Sequence, residues 1–230
     1  MTTNIRLVDV FHDSNASVLV RSTLENKLAE MVLEKLTDNT ALCVEGIFSM
    51  RQHVKPHTVE HENLSEKLWP GYKHLTTKHV FFGADCRSRI DYGLHMKVGE
   101  ETDILLNFLD ENLILTEHPP SVQEAVDWVR GGRRSFSFVK QPTVRIKECA
   151  DRVFRREKLW IKDYAQLASG LARTHEQVYI IAGLSHAISL HIKYGWPIMW
   201  LTSGSPEFTS DFVYRAAMNL SHFADAVRRA

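Results

Sequence analysis

Residues 178–194 read VYIIAGLSHAISLHIKY, and this stretch decides the fold prediction. Residues 178–181 are all β-branched or aromatic, which is typical of a strand buried on both faces of a parallel sheet. After Gly183 the apolar residues recur at helical intervals, so we expect a helix to begin near His186. His186 would then lie at a strand-to-helix turn, at the edge where open α/β sheets bind ligands. The plainer interpretation is a histidine that caps or packs against its own helix.

The same alternation of apolar strands with amphipathic helices recurs along the whole chain. The pattern predicts strands over residues 5–11, 41–44, 79–82, 178–181 and 196–201, and helices over residues 17–36, 99–117, 121–130, 142–170 with a break near Lys158, and a C-terminal segment that includes Phe212 and Val227. We therefore predict one α/β domain over residues 1–230, with a mainly parallel sheet covered by helices on both faces. Residues 47–78 are expected to form an irregular insertion after the second strand, and residues 99–170 to be helical elements over the sheet.

Composition restricts the classes of partner. The chain has 28 basic and 28 acidic residues and a formal net charge of zero, so neither nucleic acid nor an anionic membrane is an expected partner. No apolar run approaches the ~20 residues of a membrane span, and the first residues lack the pattern of a secretory signal. Three scattered cysteines fit neither a zinc ribbon nor a disulfide framework. We expect a cytoplasmic protein that acts on a small molecule or a peptide, and a homo-oligomer is compatible with the sequence.

Ionisable residues follow several predicted strands. His12 follows the first strand, Glu45 the second, Asp85 and Arg87 the third, and His186 the strand at residues 178–181. Because the carboxyl ends of parallel strands meet at one edge of a sheet, we expect these side chains to converge there. Imidazoles titrate near neutral pH, carboxylates orient an imidazole or hold a cation, and a guanidinium stabilises developing negative charge. The set predicts acid–base catalysis, with His12, Glu45 and His186 as the ligands of a divalent metal ion if one is used.

Three short motifs carry these residues: VEG around Glu45, GAD around Asp85, and G-x-x-H ending at His186. In this arrangement the chain resembles the TraB/PrgY, Tiki and erythromycin-esterase-like (EreA/ChaN-like) superfamily. By that resemblance Glu45 matches the glutamate after the second strand, Asp85 with Arg87 matches the position after the third, and His12 takes the place of the first motif's histidine. The resemblance implies a hydrolase-like site, since Tiki-type members are metal-dependent peptidases and erythromycin esterases hydrolyse an ester without an obligatory metal.

The resemblance covers residues 5–90 and 176–203, and it departs from the family pattern at one position. Asp9 stands where the first motif has its glycine, which predicts a differently shaped first loop. The leading hypothesis is water-mediated hydrolysis of an ester or peptide bond. Two alternatives stay open: a non-catalytic module that binds a small molecule, haem or a peptide in the same crevice, and a nucleotide phosphohydrolase that uses the basic turn at Arg133 and Arg134.

A second set of histidines lies in the predicted insertion. His53, His57 and His61 are spaced as H-x-x-x-H-x-x-x-H, and on one helix they would share a face suited to a metal ion. Pro56 would disturb such a helix, so the alternative is a set of solvated loop histidines.

Overall fold

The computed structural model describes residues 4–10, 27, 30–32, 36–37, 39–49, 57–58, 80–86, 89–201 and 210–230. In chain order the strands are β1 (Ile5–Val10), β2 (Thr40–Ser49), β3 (His57–Thr58), β4 (Val80–Cys86), β5 (Leu113–Leu115), β6 (Phe136–Phe138), β7 (Gln177–Gly183) and β8 (Ile198–Met199), and the helices are α1 (Arg89–Asn112), α2 (Val122–Arg130), α3 (Val144–Leu171), α4 (Leu184–Tyr194) and α5 (Ser210–Arg229).

The chain divides into two compact units. The sheet unit comprises Met1–Arg87 and Asp163–Ser205, and the second unit comprises Ser88–Lys162 and Pro206–Ala230. Each unit is formed by two separate stretches of chain, so the chain passes between them more than once. The single domain expected over residues 1–230 stays a prediction.

The sheet unit contains a six-stranded sheet in the order β3-β4-β2-β7-β1-β8. All of its strand pairs are parallel except β3 with β4, which is antiparallel. The prediction of an α/β fold with a mostly parallel sheet is therefore confirmed. Ile180 and Ile181 of β7 are both fully buried, and neighbouring residues of a strand point to opposite faces. Burial of β7 on both faces explains why its sequence is a continuous apolar run rather than an alternating one.

Three strand boundaries differ from the prediction. β2 does not end before Glu45 but continues to Ser49, with an irregular register against β4 between Val44 and Phe48. β4 likewise extends to Cys86, so Asp85 lies within the strand. β8 has only two residues instead of the predicted six over residues 196–201, and Leu7 of β1 extends that edge by donating its N–H to the carbonyl of Pro197 at 2.9 Å.

The predicted insertion at residues 47–78 lies largely outside the described residues, but His57 is described. Its backbone is in β3, opposite Phe81 of β4. His57 is therefore in a strand, so the single helix considered for His53, His57 and His61 as a metal-binding face is not formed at its central residue. His53 and His61 lie outside the described residues.

Helix predictions in the second unit were correct in part. Residues 122–130 form α2 with Ser121 as its N-cap, whose hydroxyl accepts the N–H of Glu124 at 3.2 Å. The helix predicted over residues 99–117 is instead α1 followed by β5, in which Ile114 is half exposed between its less exposed neighbours. α3 is continuous, so the predicted break near Lys158 is wrong; the Lys158 ammonium lies 4.4 Å from the ring centroid of Phe154, one turn earlier.

Of the helix predicted over residues 17–36, Lys27, Glu30 and Met31 are helical and Leu36 is not. Among all described helices, none combines the length and the apolar character that crossing a bilayer requires.

Candidate functional site

The carboxyl ends of β1, β2 and β7 lie side by side at one edge of the sheet. Asp9 of β1 is opposite Ala182 of β7, and Val44 of β2 is opposite Ile181. Glu45 follows Val44, the last residue of β2 that pairs with β7.

β4 brings Asp85 to the same region of the backbone. Val44 is opposite Gly83, whereas the next pair joins Phe48 to Asp85. Residues 45–47 of β2 therefore face one residue, Ala84, which is the geometry of a β-bulge. Bulges bend a strand and redirect its side chains, and they are common beside active sites. Glu45 thus lies in an irregular stretch of β2 rather than in the loop that the sequence predicted.

His186 lies in the first turn of α4, three residues after the end of β7 at Gly183. This placement agrees with the predicted strand-to-helix turn. Its side chain is half-buried, and its ring centroid lies 5.8 Å from that of Tyr164 on α3, with the planes tilted by 57°. The positive end of the α4 dipole is beside His186, which favours negative charge at this edge.

The remaining predicted site residues, His12 and Arg87, lie outside the described residues. The structure therefore places Glu45 within β2, Asp85 near the end of the neighbouring strand β4, and His186 in the first turn of the helix that follows β7. Of these three residues, only His186 has a described side chain. Their chemical roles stay predictions.

Asp9 has a structural role that the sequence did not reveal. Its carboxylate is fully buried and accepts the backbone N–H of Leu201 at 2.5 Å. The carbonyl of Leu201 in turn accepts the Lys27 ammonium at 3.2 Å. Asp9 thus fixes the chain just after the short strand β8. The available signal was a single carboxylate within the otherwise apolar end of IRLVDVF, where a buried charge requires a partner.

Metal ligation stays a prediction for this site. Among the described residues, no three or more histidines, cysteines, aspartates or glutamates lie together in a group that could hold a metal ion. His12 is outside that set, and the Glu45 side chain is not described.

The basic turn after α2 is explained by contacts within the second unit. Arg133 forms an ion pair with Glu117, and its guanidinium carbon lies 3.9 Å from the ring centroid of Trp128. Both contacts occupy the side chain of Arg133, although about half of it is exposed. The turn needs no bound phosphate to account for its arrangement.

The chain matches no protein-family model, no curated protein sequence and no solved structure. The resemblance to the TraB/PrgY, Tiki and erythromycin-esterase-like superfamily therefore stays a prediction, and the function has to be argued from the geometry of the sheet edge.

Proposed function

We propose that the protein is a hydrolase whose active site lies at the carboxyl ends of β4, β2, β7 and β1, where water attacks an ester or peptide bond. The observation that carries the proposal is the placement of His186. It is a half-buried imidazole at the β7–α4 junction. In the neighbouring strand β2, Glu45 directly follows Val44, which pairs with Ile181 of β7. An imidazole and a carboxylate at one crevice are the usual groups for activating water near neutral pH.

The proposed roles follow from charge and position. Glu45 is the general base that takes a proton from water, and His186 donates a proton to the leaving group. Asp85 orients one of these groups from the adjacent strand, His12 is a further acid–base group or a metal ligand, and Arg87 stabilises the negative charge that develops on the attacked oxygen. A divalent ion held by His12, Glu45 and His186 would lower the pKa of the attacking water when bound.

Strand order supports a crevice at this edge. The connections from β1 to β2 and from β2 to β4 run towards one side of the sheet, whereas those from β4 to β7 and from β7 to β8 run towards the other. Right-handed crossovers in opposite directions place their connections on opposite faces of the sheet. A crevice opens between two neighbouring strands whose following connections lead away in opposite directions, and β2 and β7 are such a pair. In the proposed hydrolase, helices cover both faces of the sheet and residues 47–78 form an insertion that shapes the crevice. The proposed location of the protein is the cytoplasm.

One observation favours a second candidate, a non-catalytic module that binds a small molecule, haem or a peptide. Asp9 occupies the position where the resembling family has a glycine, and its carboxylate is buried against Leu201. The first loop therefore leaves the sheet under a different constraint from that of the family pattern. A fold with a reshaped loop can keep the crevice for binding without keeping the chemistry.

Turnover by variants separates these two functions. His186→Ala and Glu45→Ala should each lower kcat/KM by about 10²–10⁴-fold on a panel of ester, peptide and phosphodiester substrates, because each removes a proton-transferring group. Melting temperatures should stay nearly unchanged. His118→Ala, at an exposed histidine of the second unit, is the matched control and should retain full activity.

Unchanged turnover in the His186→Ala and Glu45→Ala variants would remove both residues from the mechanism. If no substrate is hydrolysed with or without added divalent metals, and a co-purifying ligand is lost in His186→Ala, the binding module is the correct function. Arg133→Ala tests the nucleotide phosphohydrolase, the third candidate: hydrolysis of a nucleotide that depends on Arg133 would support it against the present proposal.

A further inference from the structure

The aromatic ring of Tyr164 contacts the imidazole ring of His186. Their centroids are 5.8 Å apart and their planes are tilted by 57°. Aromatic rings prefer such tilted or edge-to-face contacts over face-to-face stacking at this separation. The contact joins the part of α3 that belongs to the sheet unit, from Asp163 onward, to the first turn of α4 in the same unit.

The two rings differ in burial, and this difference determines which one constrains the other. Tyr164 is 1% exposed and lies on α3 among the buried residues Ala165, Leu167 and Ala168. A side chain of this size in a packed core has little freedom to change rotamer. His186 is only half-buried. Tyr164 is therefore the fixed partner, and its ring limits the orientations that His186 can adopt.

We propose that Tyr164 is a positioning residue that holds the His186 imidazole in one orientation at the sheet edge. The inference rests on the proposed function, because an imidazole that transfers a proton must point at the reacting atoms. Catalysis is sensitive to such placement: a shift of about 1 Å in a reacting group can cost about 10²-fold in rate. Reactive side chains are kept in place by neighbours whose own rotamers are fixed by packing, as the burial of Tyr164 indicates here.

Two substitutions separate the ring of Tyr164 from its hydroxyl. Tyr164→Phe keeps the ring and should retain kcat within about threefold, whereas Tyr164→Leu removes it and should lower kcat by about 10–100-fold with little change in KM. Tyr214→Leu is the matched control, because Tyr214 is a fully buried tyrosine of the second unit. It should lower the melting temperature as Tyr164→Leu does but leave kcat of the remaining folded protein unchanged.

A spectroscopic measurement reads the contact without activity. In the NMR spectrum of the wild-type protein, the ring protons of His186, assigned with His186→Ala, should show nuclear Overhauser contacts with those of Tyr164. Their chemical shifts should move in Tyr164→Leu and stay close to wild type in Tyr164→Phe and Tyr214→Leu. Absence of the wild-type contact, or unchanged His186 shifts in Tyr164→Leu, would overturn the inference even if that variant is unstable.

Failure of the proposed function gives a different result. If His186→Ala keeps full turnover while the Tyr164 contact and the shift changes are present, the hydrolytic role of His186 is wrong and the contact alone stands. If His186→Ala is inactive but Tyr164→Leu has wild-type kcat, the hydrolase survives and the positioning role of Tyr164 is rejected.

Discussion

Asp9→Ala tests the most unusual contact in the sheet unit, the hydrogen bond between a fully buried carboxylate and the backbone of Leu201. The substitution removes a charged acceptor, and hydrogen bonds to charged groups contribute about 1.5–3 kcal/mol. It also leaves the N–H of Leu201 without this acceptor in a residue that is 1% exposed, which adds about 1–3 kcal/mol. Part of that loss is offset because the variant no longer has to desolvate a carboxylate.

The expected net loss in the free energy of unfolding is about 2–3 kcal/mol. For a chain of 230 residues, each kcal/mol corresponds to about 2–4 °C in Tm, so Tm should fall by about 4–12 °C. Asp9→Asn keeps an oxygen that can accept the Leu201 N–H and should cost about 1 kcal/mol. Arg6→Ala, at an exposed position of the same strand, is the control and should change stability by less than about 0.5 kcal/mol.

Urea unfolding monitored by circular dichroism measures these differences as shifts in the midpoint at constant slope. The reasoning requires the order Asp9→Ala, then Asp9→Asn, then Arg6→Ala, from most to least destabilised. If Asp9→Ala is as stable as wild type, or is more stable than Asp9→Asn, then the Leu201 hydrogen bond does not stabilise the native sheet and Asp9 has another role.

Two further predictions concern other parts of the chain. Burial lowers the pKa of His222 against the opposing attraction of Asp225, so protonation favours the unfolded state and stability is lost as pH falls below about 6.5. Between pH 7.5 and 5.5, urea unfolding should therefore show a smaller loss of stability in His222→Gln than in the wild-type protein. An equal loss in the two proteins would contradict this prediction. Gly195 ends α4 with φ of 70°, whereas Gly170 is inside α3 with open space at its Cβ position. Gly195→Ala should therefore destabilise the protein by about 1 kcal/mol, and Gly170→Ala should stabilise it by about 0.5–1 kcal/mol. Stability changes of the same sign in the two variants would refute the different backbone roles of these glycines.

The sheet and the position of His186 could be predicted because local sequence and tertiary environment agree there. The buried strand β7 is apolar throughout, and Gly183 separates it from the helical pattern of α4. The helix predicted over residues 121–130 is likewise found as α2, with Ser121 as its N-cap and Gly131 as its C-cap. In each case one segment carried the whole signal.

The errors arose where pairing with a distant segment decides the structure. Leu113 and Leu115 continue the helical spacing of α1, yet they form β5 because β6 is available to pair with them. β2 continues beyond Val44 because β4 supplies a second set of partners at Phe48. His57 pairs with Phe81 in the same way. Short apolar or polar runs do not specify their partners, so sequence patterns alone could not place these strands.

Asp9 shows a local sequence feature, a carboxylate in an apolar strand, acting together with a distant segment of the chain. β8 makes only two residue pairs with β1, at Leu7 and Val8, and a ladder this short provides little attachment for an edge strand. The next residue of β1 is Asp9, and its side chain holds the chain at Leu201 just where the regular pairing ends. A glycine at this position would have no side chain to make that bond. The buried carboxylate of Asp9 is thus accounted for by the architecture of the sheet edge.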